Sequence, residues 1–162
     1  MTDRPPAGAT IDATVRTDID NAVLCWLATL GRDGLPNVTP KEIFSSHGDD
    51  RIVIADIASA NSVANIRANP GVCVSFIDVF RQRGFKIKGM ATIVPPDSDD
   101  FPVLGAALLR MAGDAFPIRH VIAIRVDRVE RILAPSYHLF PERTEAERME
   151  DAYAAYGVRP VG

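Results

Sequence analysis

Only two cysteines and three histidines occur in these 162 residues. Cys25 and Cys73 each sit inside an apolar run, AVLCWLATL and GVCVSFI, where a thiol acts as a small buried hydrophobe. There is no Cys-x-x-Cys and no secretory context, which excludes a disulfide framework. His47, His120 and His138 have no partner at metal-ligand spacing, so no metal site is expected. An excess of one charge is also missing: 18 Lys and Arg against 21 Asp and Glu leave a net −3. That argues against a broad nucleic-acid footprint and leaves room only for local basic patches. No apolar run approaches the roughly 20 residues needed to cross a bilayer. The opening Met1-Thr2-Asp3-Arg4-Pro5-Pro6 lacks the apolar core of a signal peptide. The expectation is a soluble, cytoplasmic protein with neither nucleic-acid nor membrane partners.

Signature motifs are absent as well. The chain contains no Gly-x-Ser-x-Gly, no phosphate-binding Gly-x-x-x-x-Gly-Lys-Ser/Thr, no Gly-x-Gly-x-x-Gly and no His-Glu-x-x-His. Carboxylates are plentiful, but a run such as Asp97, Asp99 and Asp100 reads as a solvated face, and no catalytic residue can be named. If the chain is an enzyme, the hard chemistry falls to a bound cofactor that the protein positions and tunes.

What is present is an ordinary globular composition, 47% hydrophobic and 24% charged, enough for one domain over 1–162. Residues 1–9 read as a loose arm. Ile11, Val15 and Ile19 recur every four residues, which predicts a short helix from Ile11 to about Asn21. An apolar strand at 22–30 meets the hairpin punctuation GRDG and returns as LPNVTPKEIFSS. Pro36 and Pro40 lack N–H donors, which confines this strand to an edge or makes it irregular. SHGDD turns into a strand at 51–55, and DIASANSVANIRANP reads as tight turn, short helix and stop. Strands follow at 71–79 and, after FRQRG, at 85–94, where Gly89 marks a bulge or kink. A helix is expected over about 101–112, behind an acidic run that suits its dipole, then a long strand at 120–133. Thr144 and Glu147 form a capping box. Met149, Ala152, Tyr153 and Tyr156 lie on one stripe before Gly157, predicting a C-terminal helix within 142–157. The fold class is therefore mainly β with flanking helices: about six strands in an antiparallel barrel rather than a doubly wound parallel sheet.

Three segments carry more than packing requires. Asn37-Val38-Thr39-Pro40-Lys41 places polar groups and a lysine on a strand beside two prolines. Ser59, Asn61 and Ser62 precede or open a helix, where they either cap it or offer donors to an anion such as phosphate. Arg81-Gln82-Arg83-Gly84-Phe85-Lys86-Ile87-Lys88 is a basic turn feeding a strand whose lysines share one face. For Lys41 the ordinary reading is an edge-strand gatekeeper, and for Lys86 and Lys88 a polar outer face. Trp26 and Phe85 read as core.

Taken together, LCWLATLGRDGLPNVTPK, IVIADIASANSVANIRANPGVCVSFID and RGFKIKGMATIV resemble the pyridoxamine-phosphate-oxidase-like flavin-binding split barrels. The resemblance spans roughly residues 20–94 and, more loosely, 120–133. It implies a six-stranded antiparallel split β-barrel that forms a homodimer, with FMN near the interface. By position, Thr39, Pro40 and Lys41 would lie along the flavin. Ser59, Asn61 and Ser62 would approach its phosphate with Asn65 behind them, and Arg83, Gly84 and Lys86 would reach ring or phosphate from the later strand. A lysine at the ring edge would stabilise the anionic reduced form.

The chain departs from vitamin B6 phosphate oxidases at two places. Asn61-Ser62 stands where they carry Arg-Lys, and the C-terminal segment is an acidic amphipathic helix rather than a basic, His-containing one. The resemblance thus points to an FMN-dependent oxidoreductase acting between a nicotinamide or small organic substrate and the flavin. An F420-dependent reductase of the same barrel, a haem binder and a non-catalytic flavin-binding or stress-associated module stay open as alternatives.

Overall fold

The computed structural model describes residues 9–161; the expected loose arm at 1–9 lies almost wholly outside them. Helix α1 (Ala13–Asn21) is capped by Asp12, whose carboxylate accepts the Val15 N–H. Its Ile19 and Val15, with Ile11 just before, enter the core as the four-residue spacing predicts. Seven antiparallel strands then form one sheet that curls into a half-barrel. They are β1 (Cys25–Leu30), β2 (Pro36–Lys41), β3 (Phe44–His47), β4 (Arg51–Asp56), β5 (Gly71–Asp78), β6 (Arg83–Val94) and β7 (His120–Leu133), in spatial order β2-β1-β5-β6-β7-β4-β3.

The seventh strand corrects the expected count of six. LPNVTPKEIFSS is not one strand but two, β2 and β3, which occupy opposite edges of the sheet. The chain changes edge across Glu42 and Ile43, where the Ile43 carbonyl accepts the Ala55 N–H at 3.0 Å. Both prolines fall on edge strand β2, where a missing donor is tolerated.

Helix α2 (Ala60–Ala68) closes one end of the barrel between β4 and β5. The inner faces of the strands meet α1 and α2 in a core that includes Leu27, Ile52, Ile54, Phe76, Phe85, Ile87, Ile122 and Ile124. On the outer face of β4 and β7 a second cluster, among it Val53, Val94, Val121 and Ala123, packs under Leu108. The single helix expected over 101–112 is split into α3 (Phe101–Leu104) and α4 (Ala106–Ala112), followed by a 3-10 turn.

Two glycines are fixed by close approach. A Cβ on Gly84 would stand 2.0 Å from the Phe76 carbonyl oxygen, and one on Gly89 1.9 Å from that of Arg125. The β6–β7 register shifts between Lys88 and Gly89, the bulge expected there, and Asp127 is the residue left without an opposite partner.

Two side chains depart from expectation. Trp26 is 45% exposed, not core. In β1 the inward positions are Cys25, Leu27 and Thr29, so strand alternation turns Trp26 outward. Cys25 is buried but Cys73 only half so, on the outer face between Ala28 and Lys88. Burial pushes the Cys25 thiol up to about 12 and raises that of Cys73, so neither is poised as a thiolate.

The C-terminal end forms a clamp. Helix α5 (Ser136–Leu139) precedes α6 (Glu145–Tyr156), whose start carries the expected Thr144–Glu147 capping box. Tyr153 and Tyr156 pack against Phe80 at centroid distances of 4.8 and 6.1 Å. Buried Arg148 is the clamp's pin, a residue the apolar stripe did not include. Its guanidinium donates to the carbonyls of Phe140 (2.6 Å), Ser136 (3.1 Å), Thr144 (3.1 Å) and Arg143, and lies 4.4 Å over the Tyr137 ring.

Candidate functional site

Strand β2 alternates, so Asn37, Thr39 and Lys41 face inward while Pro36, Val38 and Pro40 face out. Inward they meet helix α2. The Thr39 and Ser62 hydroxyls are 3.2 Å apart. Asn37 and Asn65 both donate amide hydrogens to the Thr29 hydroxyl, at 3.4 and 3.1 Å. The Lys41 ammonium donates to the Ser59 hydroxyl. Ser59 therefore does not cap α2 with its side chain, and no side-chain hydrogen bond closes the helix's first turn. Its backbone N–H instead goes to the Asp56 carboxylate at 2.9 Å, which folds the 56–59 turn.

A cavity of about 400 Å³ opens where β2 meets the start of α2, lined by Asn37, Thr39, Pro40, Lys41, Asn61 and Ser62 among others. Pro40, Lys41 and Ser59 also line a second cavity, of about 440 Å³, whose far wall is Ile57, Met111 and Phe116. Lys41 is the hinge between the two. Its side chain is buried, and among the described residues no carboxylate stands at ion-pair distance from it. Burial lowers its pKa, offset in part by the Asp56 charge. A buried ammonium without a carboxylate is costly to keep, and the donors around it suit an anionic group.

Seven of the ten residues named from sequence come together here. Thr39, Pro40, Lys41, Ser59, Asn61 and Ser62 line the cavities, and Asn65 lies behind them on Thr29. Arg83, Gly84 and Lys86 do not join them within one chain. Arg83 pairs with Glu145 at 2.8 Å and approaches Asp18 at 3.9 Å. Gly84 is occupied by the Phe76 backbone. Lys86 pairs with Glu130 at 2.7 Å and lies in the cross-strand row Pro40–Trp26–Ser75–Lys86, three strand spacings or roughly 14 Å from Pro40.

A partner pair beneath the site, buried Asp56 with half-buried His120, has no counterpart in the sequence motifs. His120 Nδ1 lies 2.8 Å from the Asp56 carboxylate, so one carboxylate ties β4, β7 and the α2 turn together. The two residues are 64 positions apart, and the only sequence signal was an Asp ending an apolar strand. Met111 and Phe116 were likewise invisible, since they reach the cavity from the last turn of α4 and from the segment after it. Among the described residues no group of three His, Cys, Asp or Glu could hold a metal ion, and no helix is long and apolar enough to cross a membrane.

Residues 11–132 match the family model described as pyridoxamine 5'-phosphate oxidase. The chain belongs to this family. No curated protein sequence matches it. Among solved structures of the same fold, HupZ of Group A Streptococcus superposes with a TM-score of 0.66 at 22% identity, over 76% of this chain and 95% of that one. An FMN-binding protein from Syntrophomonas wolfei gives 0.64 at 15%, over 74% and 84%. An F420 reductase gives 0.57 at 24%, over 74% and 98%. At these identities the likeness establishes the fold of the family and not the ligand.

Proposed function

We propose that the protein binds FMN at the β2–α2 cavity and acts as an oxidoreductase between a nicotinamide or small organic substrate and the flavin. The observation that carries this reading is the buried Lys41 ammonium without a carboxylate partner, facing a cavity that also receives the uncapped first turn of α2. Two unmet positive features at one place suit a phosphate or an anionic ring edge. FMN would supply the hydride- and electron-accepting ring. The chain would supply Asn61, Ser62 and the α2 backbone toward the phosphate, Thr39 and Pro40 along the ring, and Lys41 as the charge beside it. The apolar wall of Ile57, Met111 and Phe116 would exclude water from the neighbouring cavity, where a small substrate could lie.

A homodimer forms part of the same proposal. Trp26, Val38 and Ile77 are exposed on one outer sheet face, next to Lys86, Lys88 and Glu130 of both signs. Such a surface suits a two-fold contact with a second copy, and a dimeric mass in solution checks it. F420 is the second reading, supported by the likeness to the F420 reductase fold and by the neutral Asn61-Ser62 pair.

The test is titration of the apoprotein with FMN, riboflavin and F420, using wild type and an Asn61→Ala, Ser62→Ala double variant. The double variant should lose about tenfold or more in FMN affinity, with little change for riboflavin, which lacks the phosphate. Equal losses for both would make the pair structural, and binding of F420 but not FMN would move the assignment to the second reading. Reduction of the bound flavin by a nicotinamide donor then separates an enzyme from a passive binder.

A further inference from the structure

A second charged constellation lies away from the β2–α2 cavity, on the outer face at the opposite edge of the sheet. The antiparallel registers place His47 directly opposite Arg51, and Arg51 directly opposite Arg125. Three basic side chains thus stand in one row across β3, β4 and β7, and all three line a single cavity of about 620 Å³. Like charges directly opposite each other on neighbouring strands destabilise a sheet. Nothing in the packing requires them, because α3 and α4 cover the adjoining part of this face with apolar contacts.

The carboxylates nearby do not neutralise the row. Asp49 is engaged by Arg16 at 2.8 Å. Asp127, the unpaired residue at the bulge, holds Arg125 at 3.1 Å, with both side chains more than 40% exposed, a geometry worth little in water. Among the described residues Arg51 has no carboxylate within ion-pair distance and no side-chain hydrogen bond. Thr92 adds a hydroxyl to the wall, Met90 and Leu104 an apolar surface, and Asp100 a single carboxylate from the α3 side.

We propose that this cavity is a binding site for a small molecule with one compact anionic head, a phosphate or a carboxylate, seated between Arg51 and Arg125. Both guanidiniums donate to the head in paired fashion, and His47 offers a ring N–H at the end of the row. The apolar wall takes the body of the ligand. Asp100 repels molecules that carry charge along their whole length, which favours a small ligand over a polyanion. The site is independent of the flavin assignment, since it shares no residue with the β2–α2 cavity.

Inorganic phosphate and succinate are the probes, added separately to the full-length protein while the Arg Nε–H resonances and the thermal midpoint are followed. Either anion should move the Arg51 and Arg125 resonances along a saturable curve and raise the midpoint, and the stronger of the two identifies the head group. Arg51→Thr should weaken that binding about tenfold or more and abolish the midpoint increase. Its own midpoint in anion-free buffer should not fall, because a like-charge pair has been relieved. Should Arg51→Thr not fold, Arg125→Gln gives the same reading. Lys41→Met should leave the Arg51 response intact. Absence of a saturable response at Arg51 and Arg125 with both anions overturns the proposal. So does unchanged affinity in the arginine variants, or a midpoint increase that Lys41→Met abolishes.

Discussion

The β2–α2 cavity and the clamp around the β5–β6 turn both collect positive charge, and they treat it in opposite ways. In the clamp, Arg81 and Arg83 both meet Glu145, at 3.2 and 2.8 Å, and Arg148 is surrounded by carbonyl oxygens. Each cation there already has acceptors from its own chain. In the cavity, Lys41 has a hydroxyl and no carboxylate, although Asp56 lies close enough to influence it. That carboxylate is committed instead to His120 and the Ser59 N–H. A satisfied cation holds the fold together. An unsatisfied one marks where the fold has left an opening for something else.

The sharpest way to break this distinction is at Gly84, which the family resemblance assigned to the cofactor and which stands against the Phe76 backbone. Gly84→Ala would drive a Cβ into the Phe76 backbone, and should cost about 3 kcal/mol or more. Urea denaturation checks this, and a fully stable Gly84→Ala would show that the approach to Phe76 does not demand glycine there.

Lys41→Met should weaken FMN about tenfold or more and yet stabilise the apoprotein, on the order of 1 kcal/mol at neutral pH. The pH dependence fixes the sign. Burial lowers the Lys41 pKa from 10.5, so between the folded and unfolded values the unfolded chain binds more protons. Wild-type stability should therefore climb as pH rises through that window, and Lys41→Met should lack this component of the climb. Midpoints measured across the alkaline range for both proteins decide it.

The smallest effect is expected at Arg83→Gln. It should cost about 1 kcal/mol, through the partly exposed contact to Glu145, and leave flavin affinity unchanged. A fall in affinity with intact stability would place Arg83 at the cofactor.

Periodicity and turn chemistry made much of this architecture legible. Ile11, Val15 and Ile19 announced α1, Pro36 and Pro40 announced an edge strand, and Gly89 the bulge. The Thr144–Glu147 box set the start of α6. Each of these features acts within a few residues, where sequence spacing and spatial spacing coincide. The division of 35–46 between opposite sheet edges was not legible, because the alternation of a strand names its faces and not its neighbours. Trp26 was misplaced for a related reason: in a nearly continuous apolar run, hydrophobicity alone does not reveal which side the sheet leaves uncovered. Within the candidate site, the β2 and α2 residues that the fold brings together each sit in a short motif. The ion pairs of Arg83 depend on Glu145 and Asp18, and the Asp56–His120 pair on strands far apart in the chain. Such partners are set by topology.

The corner at Glu42 and Ile43 has a geometric consequence. Hydrogen bonding leaves the barrel split, but the polypeptide itself bridges the gap, since β2 ends at Lys41 and β3 begins at Phe44. Three Cα–Cα steps of about 3.8 Å each set the farthest distance these two ends can separate. At that end the mouth beside Lys41 therefore has a maximum width written into bond lengths, whatever the side chains around it do.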